Sequence, residues 1–222
     1  MAPDSEAPLA WSLVVPVKVL AQAKSRLTGL TGQRRSQLAL AMAADTIAAA
    51  IRADGVAAVL VVTDDPEVGD AAGHLGAIVL ADEPAAGLND ALSHGATHAR
   101  ARWPDRGVAG LAADLPALRP DELTTALAAA ATLSVAFVPD AAGTGTTLYA
   151  AAPGSQFRPR FGRLSRRQHL ADGAAEIGSA AGPQLAGLRH DVDTVDDLRQ
   201  ATAIGLGPRT RAVLALDSHI LP

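Results

Sequence analysis

Three aspartates lie where carboxylates at strand ends could hold a divalent cation. Asp114 comes directly after the fourth predicted strand, in the sequence Asp-Leu-Pro. Asp191 and Asp193 are separated by one residue, where a predicted strand over 188–190 passes into a helix. Carboxylates from two strand ends, together with substrate phosphates, suit Mg²⁺. The alternative is that Asp114 belongs to a turn and that Asp193 or Thr194 only caps the following helix.

The basic residues are distributed unevenly. Seventeen of the nineteen are arginines, and the only two lysines, Lys18 and Lys24, lie six residues apart just after the first predicted strand. A lysine ammonium is a compact, mobile charge, which suits a phosphate whose position changes during a reaction. The alternative is an exposed helix start, and the near absence of lysine elsewhere argues against it.

Residues 157–170 form a basic segment without a single acid. Its five arginines are Arg158, Arg160, Arg163, Arg166 and Arg167. They bring +5, so the rest of the chain carries −9 for a net charge of −4. Such a cluster predicts a site for a small anion, and Ser165 is expected to cap the short helix that begins there. The alternatives are a solvated run of charge and a nucleic-acid surface, and the second conflicts with the acidic protein.

Gly143-Thr144-Gly145 forms a glycine loop between the predicted strands 134–138 and 146–152. Consecutive backbone N–H groups in such a loop could surround a carboxylate or a phosphate. An ordinary hairpin turn accounts for the same residues equally well. The loop by itself therefore leaves both interpretations open.

Several common kinds of site are absent from the sequence. There is no cysteine, which excludes disulfides, thiolate metal sites and a cysteine nucleophile. The motifs GxxxxGK[ST], GxGxxG and GxSxG are also missing, which disfavours the common nucleotide hydrolases, dinucleotide dehydrogenases and serine hydrolases. His94 and His98 lie four residues apart and are expected on a surface face of one helix, so no zinc site is predicted. No run of about 18 strongly apolar residues occurs, and we expect a cytoplasmic protein that binds neither membrane nor nucleic acid.

Hydrophobic patterning predicts the elements that position these residues. Strands are expected at 11–18, 56–63, 77–80, 108–112, 134–138, 146–152 and 188–190, and helices at 31–53, from 65 onward, and at 88–101, 120–131, 165–171, 194–204 and 208–216. This alternation predicts an α/β fold with a mostly parallel mixed sheet covered on both faces, in which the 134–152 pair is antiparallel. Ligands then bind beyond the carboxyl ends of the strands. We expect a disordered tail over 1–10 and one domain over 11–222.

Taken in order, the motifs closely resemble those of the guanylyltransferases that make the phospholactyl precursor of the deazaflavin coenzyme. The resemblance spans residues 12 to about 211 and rests on Pro16-Val17-Lys18, Ala23-Lys24-Ser25-Arg26-Leu27, Leu88-Asn89, Asp114-Leu115-Pro116, Gly143-Thr144-Gly145-Thr146, Arg160-Phe161-Gly162 with Ser165, and Asp191-Val192-Asp193-Thr194. It implies a three-layer nucleotidyltransferase domain that is GT-A-like and Rossmann-like. It also implies transfer of GMP from GTP to the phosphate of phosphoenolpyruvate or 2-phospholactate, with release of pyrophosphate.

The resemblance implies residue roles as well. The Mg²⁺ ligands would be Asp114, Asp191 and Asp193. The carboxylate end of the three-carbon acid would meet Thr146, Gly162 and Ser165. The triphosphate would face Lys18, Lys24 and Arg26, and the nucleoside would face Asn89. The glycine-rich loop that the wider superfamily has after its first strand is replaced by residues 19–23, so side-chain charge must hold more of the triphosphate.

The chemistry implied by this resemblance agrees with the motifs that are missing. The attacking group is a phosphate oxygen that is already anionic, so the site needs cations and positioning rather than a side-chain nucleophile. The implied partners are GTP, a three-carbon phospho-acid and the next transferase of the pathway, and a homodimer is the default oligomer. A composition typical of a GC-rich genome favours phosphoenolpyruvate as the acceptor. The alternatives are 3-phosphoglycerate or a sugar phosphate as the acceptor, glycosyl transfer, and a non-catalytic nucleotide-binding module.

Overall fold

Short runs of valine, leucine and alanine form the strands of one mixed sheet. The computed structural model describes residues 9–22, 24, 27, 30–83, 85–178 and 182–216. Its strands are β1 Trp11–Pro16, β2 Val56–Val62, β3 Ile78–Leu80, β4 Gly107–Leu111, β5 Val135–Pro139, β6 Thr146–Ala151 and β7 Ala175–Glu176. Their order across the sheet is β3-β2-β1-β4-β6-β5-β7. β6 is antiparallel to β4 and β5, whereas the other neighbouring pairs are parallel. The predicted mixed sheet and the antiparallel pair are both confirmed.

The helices begin and end close to the predicted positions. They are α1 Gly32–Ile51, α2 Pro66–Leu75, α3 Leu88–Arg102, α4 Pro120–Ala130, α5 Ser165–Ala171, α6 Ala186–Arg189, α7 Val195–Ile204 and α8 Pro208–Ala215, with 3-10 turns at Leu20–Gln22 and Gly182–Leu185. Asp65 caps α2 because its carboxylate accepts hydrogen bonds from the N–H groups of Glu67 and Val68, and Pro66 occupies the first helical position.

Side chains alternate between the two faces of the sheet and create a core on each. Leu13 and Val15 of β1 pack with α1, α2 and α4 on one face. Val14 points to the other face, where it meets α3 and aromatic residues of β5 and β6. A third cluster joins α1 to α7 and α8. The result is the expected three-layer arrangement, with helices on both faces of the sheet.

The predicted strand over 188–190 is wrong, and β7 was not predicted. Residues 186–189 form the short helix α6, in which the Gly187 N–H donates to the buried Glu122 carboxylate at 2.9 Å. A Cβ at Gly187 would lie 2.1 Å from the backbone oxygen of Ala117. This close packing favours a helical turn. The apolar run at 188–190 is too short for its pattern to distinguish a strand from a helix.

The predicted domain bounds depend on the two ends of the chain. Residues 1–8 of the expected tail and residues 217–222 lie outside the described residues, so the bounds 11–222 stay a prediction. In the part of the chain that the structure describes, no helix is both long and apolar enough to cross a membrane.

Candidate active site

A pocket of about 420 Å³ lies at the carboxyl ends of β1 and β4. Its lining includes Pro16 at the end of β1 and Lys18 just after it, Asp114 after β4, and Lys24 and Asp193 from two further segments. The carboxyl ends of neighbouring parallel strands meet at one edge of the sheet, and this is the place where ligands were expected. Four of the predicted site residues therefore share one pocket.

Lys24 connects the two acidic segments of the pocket. Its Nζ donates to Asp114 Oδ2, and to Asp193 Oδ1 at 3.1 Å. Burial lowers the pKa of Lys24, but the attraction of Asp114 and then of Asp193 outweighs burial, so that the pKa is raised. The ammonium, whose side chain is only 10% exposed, therefore keeps its charge between two carboxylates. The backbone at Lys24 adopts the left-handed region, with φ 54°.

Several other carboxylates lie near the carboxyl group of Asp191. Burial, and after it the charges of Asp114, Asp140 and Asp193, together raise the pKa of its carboxyl to about 7. The Val192 N–H donates to the Asp114 carbonyl at 3.1 Å, which ties the segment after α6 to the segment after β4. A cation would relieve the repulsion among these acids.

The acids do not form a closed ligand set by themselves. Among the described residues, no group of three acidic or histidine side chains is gathered closely enough to hold a metal ion. The ammonium of Lys24 instead bridges Asp114 and Asp193, and so shows that this corner of the pocket accepts a positive charge. The donor set is all carboxylate oxygen, which is the chemistry that Mg²⁺ prefers.

Helix capping does not explain Asp193. Thr194 Oγ1 accepts a hydrogen bond from the Asp197 N–H at 3.2 Å, and the Asp197 carboxylate accepts the N–H groups of Thr194 and Asp193. Thr194 and Asp197 thus form a capping box for α7. The side chain of Asp193 contacts Lys24 instead, and its predicted role as a Mg²⁺ ligand stays a prediction.

Thr146, Ser165 and His169 form a buried hydrogen-bonded group, next to Phe161 of the pocket lining. The Ser165 hydroxyl donates to Thr146 Oγ1 at 3.0 Å, and His169 Nδ1 lies 3.0 Å from the same oxygen. The prediction that Ser165 caps α5 is wrong. The capping position is held by Leu164, which makes no side-chain cap and has a left-handed φ of 61°, and this frees the serine hydroxyl for Thr146.

His169 was not identified from the sequence. It is fully buried and lies against the rings of Tyr149 at 4.6 Å, Phe137 at 5.3 Å and Phe161 at 6.2 Å. Burial lowers the pKa of His169 to about 4, so the ring is neutral at pH 7. The i, i+4 spacing of Ser165 and His169 on one short helix is the signal that could have revealed the pair.

The glycine loop surrounds an anion that belongs to the chain itself. The N–H groups of Thr144 and Gly145 donate to the two carboxylate oxygens of Asp140, each at 2.8 Å. A Cβ at Gly145 would lie 2.4 Å from the Asp140 carboxylate. The loop is therefore a hairpin turn that binds its own aspartate with the N–H groups considered for a ligand.

The basic segment is partly neutralised from within. Arg160 pairs with Asp172 at 2.9 Å, and Arg166 pairs with Glu176 at 2.7 Å. Across the described ranges, no ion pair involves its remaining arginines, Arg158, Arg163 and Arg167. A small-anion site at the segment as a whole stays a prediction.

Asn89 links α3 to the start of the Gly162 turn. Its Nδ2 donates to the Phe161 carbonyl at 3.1 Å, and its Oδ1 accepts the Phe161 N–H at 2.8 Å. Gly162 itself has a φ of 129°, which L side chains rarely adopt. The Asn89 amide thus fixes the backbone of a pocket residue, and its expected contact with the nucleoside stays a prediction.

The segment that follows β1 is held by contacts within the chain. The Leu20 N–H donates to Asp65 Oδ2 at 2.8 Å, and the Ser36 hydroxyl donates to the Leu20 carbonyl at 3.3 Å. Lys18 projects from this segment and is exposed at the pocket. Arg26, the remaining expected triphosphate ligand, lies outside the described residues.

Comparisons with known proteins bear on the fold and the family of this chain. A solved protein from Desulfovibrio desulfuricans G20, provisionally named a nucleotide-diphospho-sugar transferase, has a TM-score of 0.69 and 16% identity over 95% of this chain and 96% of that chain, a likeness of fold. Phosphoenolpyruvate guanylyltransferases of Thermomonospora curvata and Streptomyces coelicolor are 56% and 55% identical, over 95% and 92% of this chain and 91% and 96% of theirs. The family model described as "Guanylyl transferase CofC like" matches residues 11–214. The chain therefore belongs to the CofC-like guanylyl transferase family, as its motifs indicated.

Proposed function

We propose that this protein is a phosphoenolpyruvate guanylyltransferase. A phosphate oxygen of phosphoenolpyruvate attacks the α-phosphorus of GTP, the bond from that phosphorus to the α,β-bridging oxygen breaks, and pyrophosphate leaves. The observation that carries the proposal is the pocket in which Lys24 joins Asp114 and Asp193 at the carboxyl ends of β1 and β4. Relatives that are up to 56% identical over nearly the whole chain bear this name.

The chain's own residues do work of positioning and electrostatics. The attacking phosphate is anionic at neutral pH, so the protein needs no group to remove a proton before attack. It has to bring two polyanions together in an attacking geometry. Lys18 at the pocket and the charged Lys24 inside it would attract the triphosphate. Thr146, Ser165 and the Gly162 turn would bind the carboxylate end of the acceptor.

Asp114, Asp191 and Asp193 would hold Mg²⁺. The raised pKa of the Asp191 carboxyl and the ammonium placed between the other two acids support this assignment. When bound, Mg²⁺ would neutralise charge on the phosphate oxygens near the reacting phosphorus.

The product joins the acceptor and GMP through a reactive diphosphate. We propose that it passes directly to the next transferase of the pathway, since exposure to water would waste it. A homodimer, the default among soluble oligomers, remains a prediction.

The decisive experiment offers several acceptors to the protein with GTP and Mg²⁺. Phosphoenolpyruvate, 2-phospholactate and 3-phosphoglycerate are supplied separately, pyrophosphate release is followed, and the products are identified by mass. We expect turnover with phosphoenolpyruvate, whereas silence with every three-carbon phospho-acid would contradict the proposal. Asp114→Asn should lower turnover by at least about 100-fold. The matched control is Asp121→Asn, because that exposed carboxylate lies on α4 and should leave turnover unchanged.

A further inference from the structure

The hydrogen bonds around His169 determine which of its nitrogens carries the proton. The backbone N–H of Arg160 can only donate, and it points at His169 Nε2 at 2.9 Å. Nε2 therefore presents a lone pair, and a neutral ring must carry its hydrogen on Nδ1. Nδ1 faces Thr146 Oγ1 at 3.0 Å, so His169 is the donor and the threonine oxygen is the acceptor.

This tautomer fixes what the two neighbouring hydroxyls can offer. Thr146 and Ser165 together have two hydroxyl hydrogens, and the 3.0 Å bond between their oxygens uses one. His169 Nδ1 already bears a hydrogen and cannot accept the other. Within the described ranges, no other protein acceptor is bonded to either hydroxyl. One hydroxyl hydrogen is therefore left to donate to a ligand, whichever way the Thr146–Ser165 bond runs.

The reverse tautomer would invert the polarity of this group. An unprotonated Nδ1 would accept the threonine hydrogen, and the hydroxyl pair would then present only lone pairs outward. Lone pairs repel a carboxylate, whereas a hydroxyl donor to a carboxylate forms a charge-assisted bond. The His169 ring cannot turn its other edge toward Thr146 without losing the hydrogen bond from the Arg160 N–H. Its stacking contact with the Tyr149 ring at 4.6 Å also holds its orientation.

We propose that His169 is a positioning residue that makes the Thr146–Ser165 hydroxyl pair a hydrogen-bond donor to the carboxylate of the phospho-acid. The inference rests on the proposed function in one respect, which is that the acceptor substrate carries that carboxylate. His169 touches no substrate in this arrangement and acts through Thr146. Phe161 connects it to the chemistry, since this residue lies against the His169 ring and also lines the pocket.

Two substitutions separate the two nitrogens of the ring. In His169→Asn the amide nitrogen can replace Nδ1 and still donate to Thr146. In His169→Gln the amide oxygen can replace Nε2 and accept from Arg160, but the donor to Thr146 is lost. His98→Gln, an exposed change on α3, is the matched control. A role confined to packing would predict the opposite order, because glutamine is closer to histidine in size than asparagine is.

The readout is the preference for phosphoenolpyruvate over vinyl phosphate, which is the same molecule without its carboxylate. We expect His169→Gln to lower the ratio of the two kcat/KM values by about tenfold or more, as the loss of a charge-assisted hydrogen bond predicts. His169→Asn and His98→Gln should keep the ratio within about threefold, and the KM for GTP should stay unchanged. An unchanged ratio in His169→Gln overturns the proposal. If the wild-type protein does not use phosphoenolpyruvate at all, the proposed function itself fails.

A second measurement requires no substitution. Nitrogen-15 NMR of the histidine rings of the full chain at pH 7.5 reports which ring nitrogen is protonated. We expect His169 to show a protonated Nδ1 and an unprotonated Nε2. A ring protonated at Nε2 overturns the proposal, even if His169→Gln fails to fold.

Discussion

Lys24 forms ion pairs with Asp114 and Asp193, two of the three acids proposed to hold Mg²⁺. Replacing it by methionine, which is one atom shorter, keeps most of the side chain and removes its charge. In the absence of nucleotide, a metal ion must displace the ammonium before it can use both carboxylates. We therefore expect Lys24→Met to bind Mn²⁺ more tightly than the wild-type protein does, and to transfer GMP more slowly.

The size of both effects follows from the contacts. A hydrogen bond to a charged group contributes about 1.5–3 kcal/mol. The Asp193 side chain is 44% exposed and water weakens that contact, so we count the Asp114 contact, where exposure is 26%. Removing this competitor should strengthen Mn²⁺ binding about tenfold, which corresponds to about 1.4 kcal/mol. Loss of a fixed cation near the reacting phosphates should lower kcat by about 100-fold or more.

Calorimetric titration of the nucleotide-free protein with Mn²⁺ measures the first effect, and pyrophosphate release measures the second. Lys18→Met is the matched control, because Lys18 is exposed at the same pocket but is not paired with these acids. It should weaken GTP use and leave the Mn²⁺ affinity unchanged. A damaged fold would weaken binding and catalysis together. An unchanged or weaker Mn²⁺ affinity in a folded Lys24→Met protein would refute the idea that the ammonium competes with the metal ion for these carboxylates.

Three further predictions concern stability. The pKa of Asp191 is raised from 3.8 to about 7, so the folded metal-free protein holds a proton that the unfolded chain loses, and its stability should fall as pH rises from about 4 to 7. Asp191→Asn should remove that slope and raise the free energy of unfolding at pH 7 by about 2 kcal/mol, as urea titrations at several pH values can check. Gly145→Ala should lower it by about 1–3 kcal/mol because the new Cβ meets a carboxylate oxygen at 2.4 Å, whereas Gly73→Ala, with open space around it in α2, should raise the melting temperature. Asn89→Ala should cost about 1–2 kcal/mol, because two hydrogen bonds to the Phe161 backbone are lost, and thermal unfolding would contradict this if the midpoint did not move.

The layers, the strands β1 to β6 and the pocket edge were predictable because they depend on local patterns. Runs such as Val56–Val62 are apolar enough to be strands, and Asp65 followed by Pro66 marks a helix start by chemistry that acts over three residues. The short helix α6 was not predictable. Its conformation depends on Glu122, which lies 65 positions away and accepts the Gly187 N–H.

In the candidate site, too, the features that depend on local sequence were predictable and those that depend on distant contacts were not. The strand-end position of Asp114 is visible in the sequence, and so is the isolation of Lys24 among arginines. The sequence does not reveal which group accepts a loop N–H. The glycine loop was therefore equally compatible with a bound ligand, and only the structure shows that Asp140 accepts its N–H groups. His169 escaped notice because its importance depends on which ring nitrogen faces Arg160, and that is a property of packing.

The internal pairing of charges explains why ligand sites were over-predicted and why one of them persists. Asp140 binds its own loop, and Arg160 and Arg166 bind Asp172 and Glu176, so these groups satisfy one another within a short stretch of chain. Lys24 and Asp114 are also paired, but they are 90 residues apart and face a pocket. In a surface ion pair, one acid is matched by one base. Here one ammonium contacts two carboxylates. The charges of Asp114, Asp140 and Asp193 also raise the pKa of a fourth acid, Asp191. Burial and the neighbouring carboxylates both disfavour the charged form of Asp191, and a bound cation would relieve that cost.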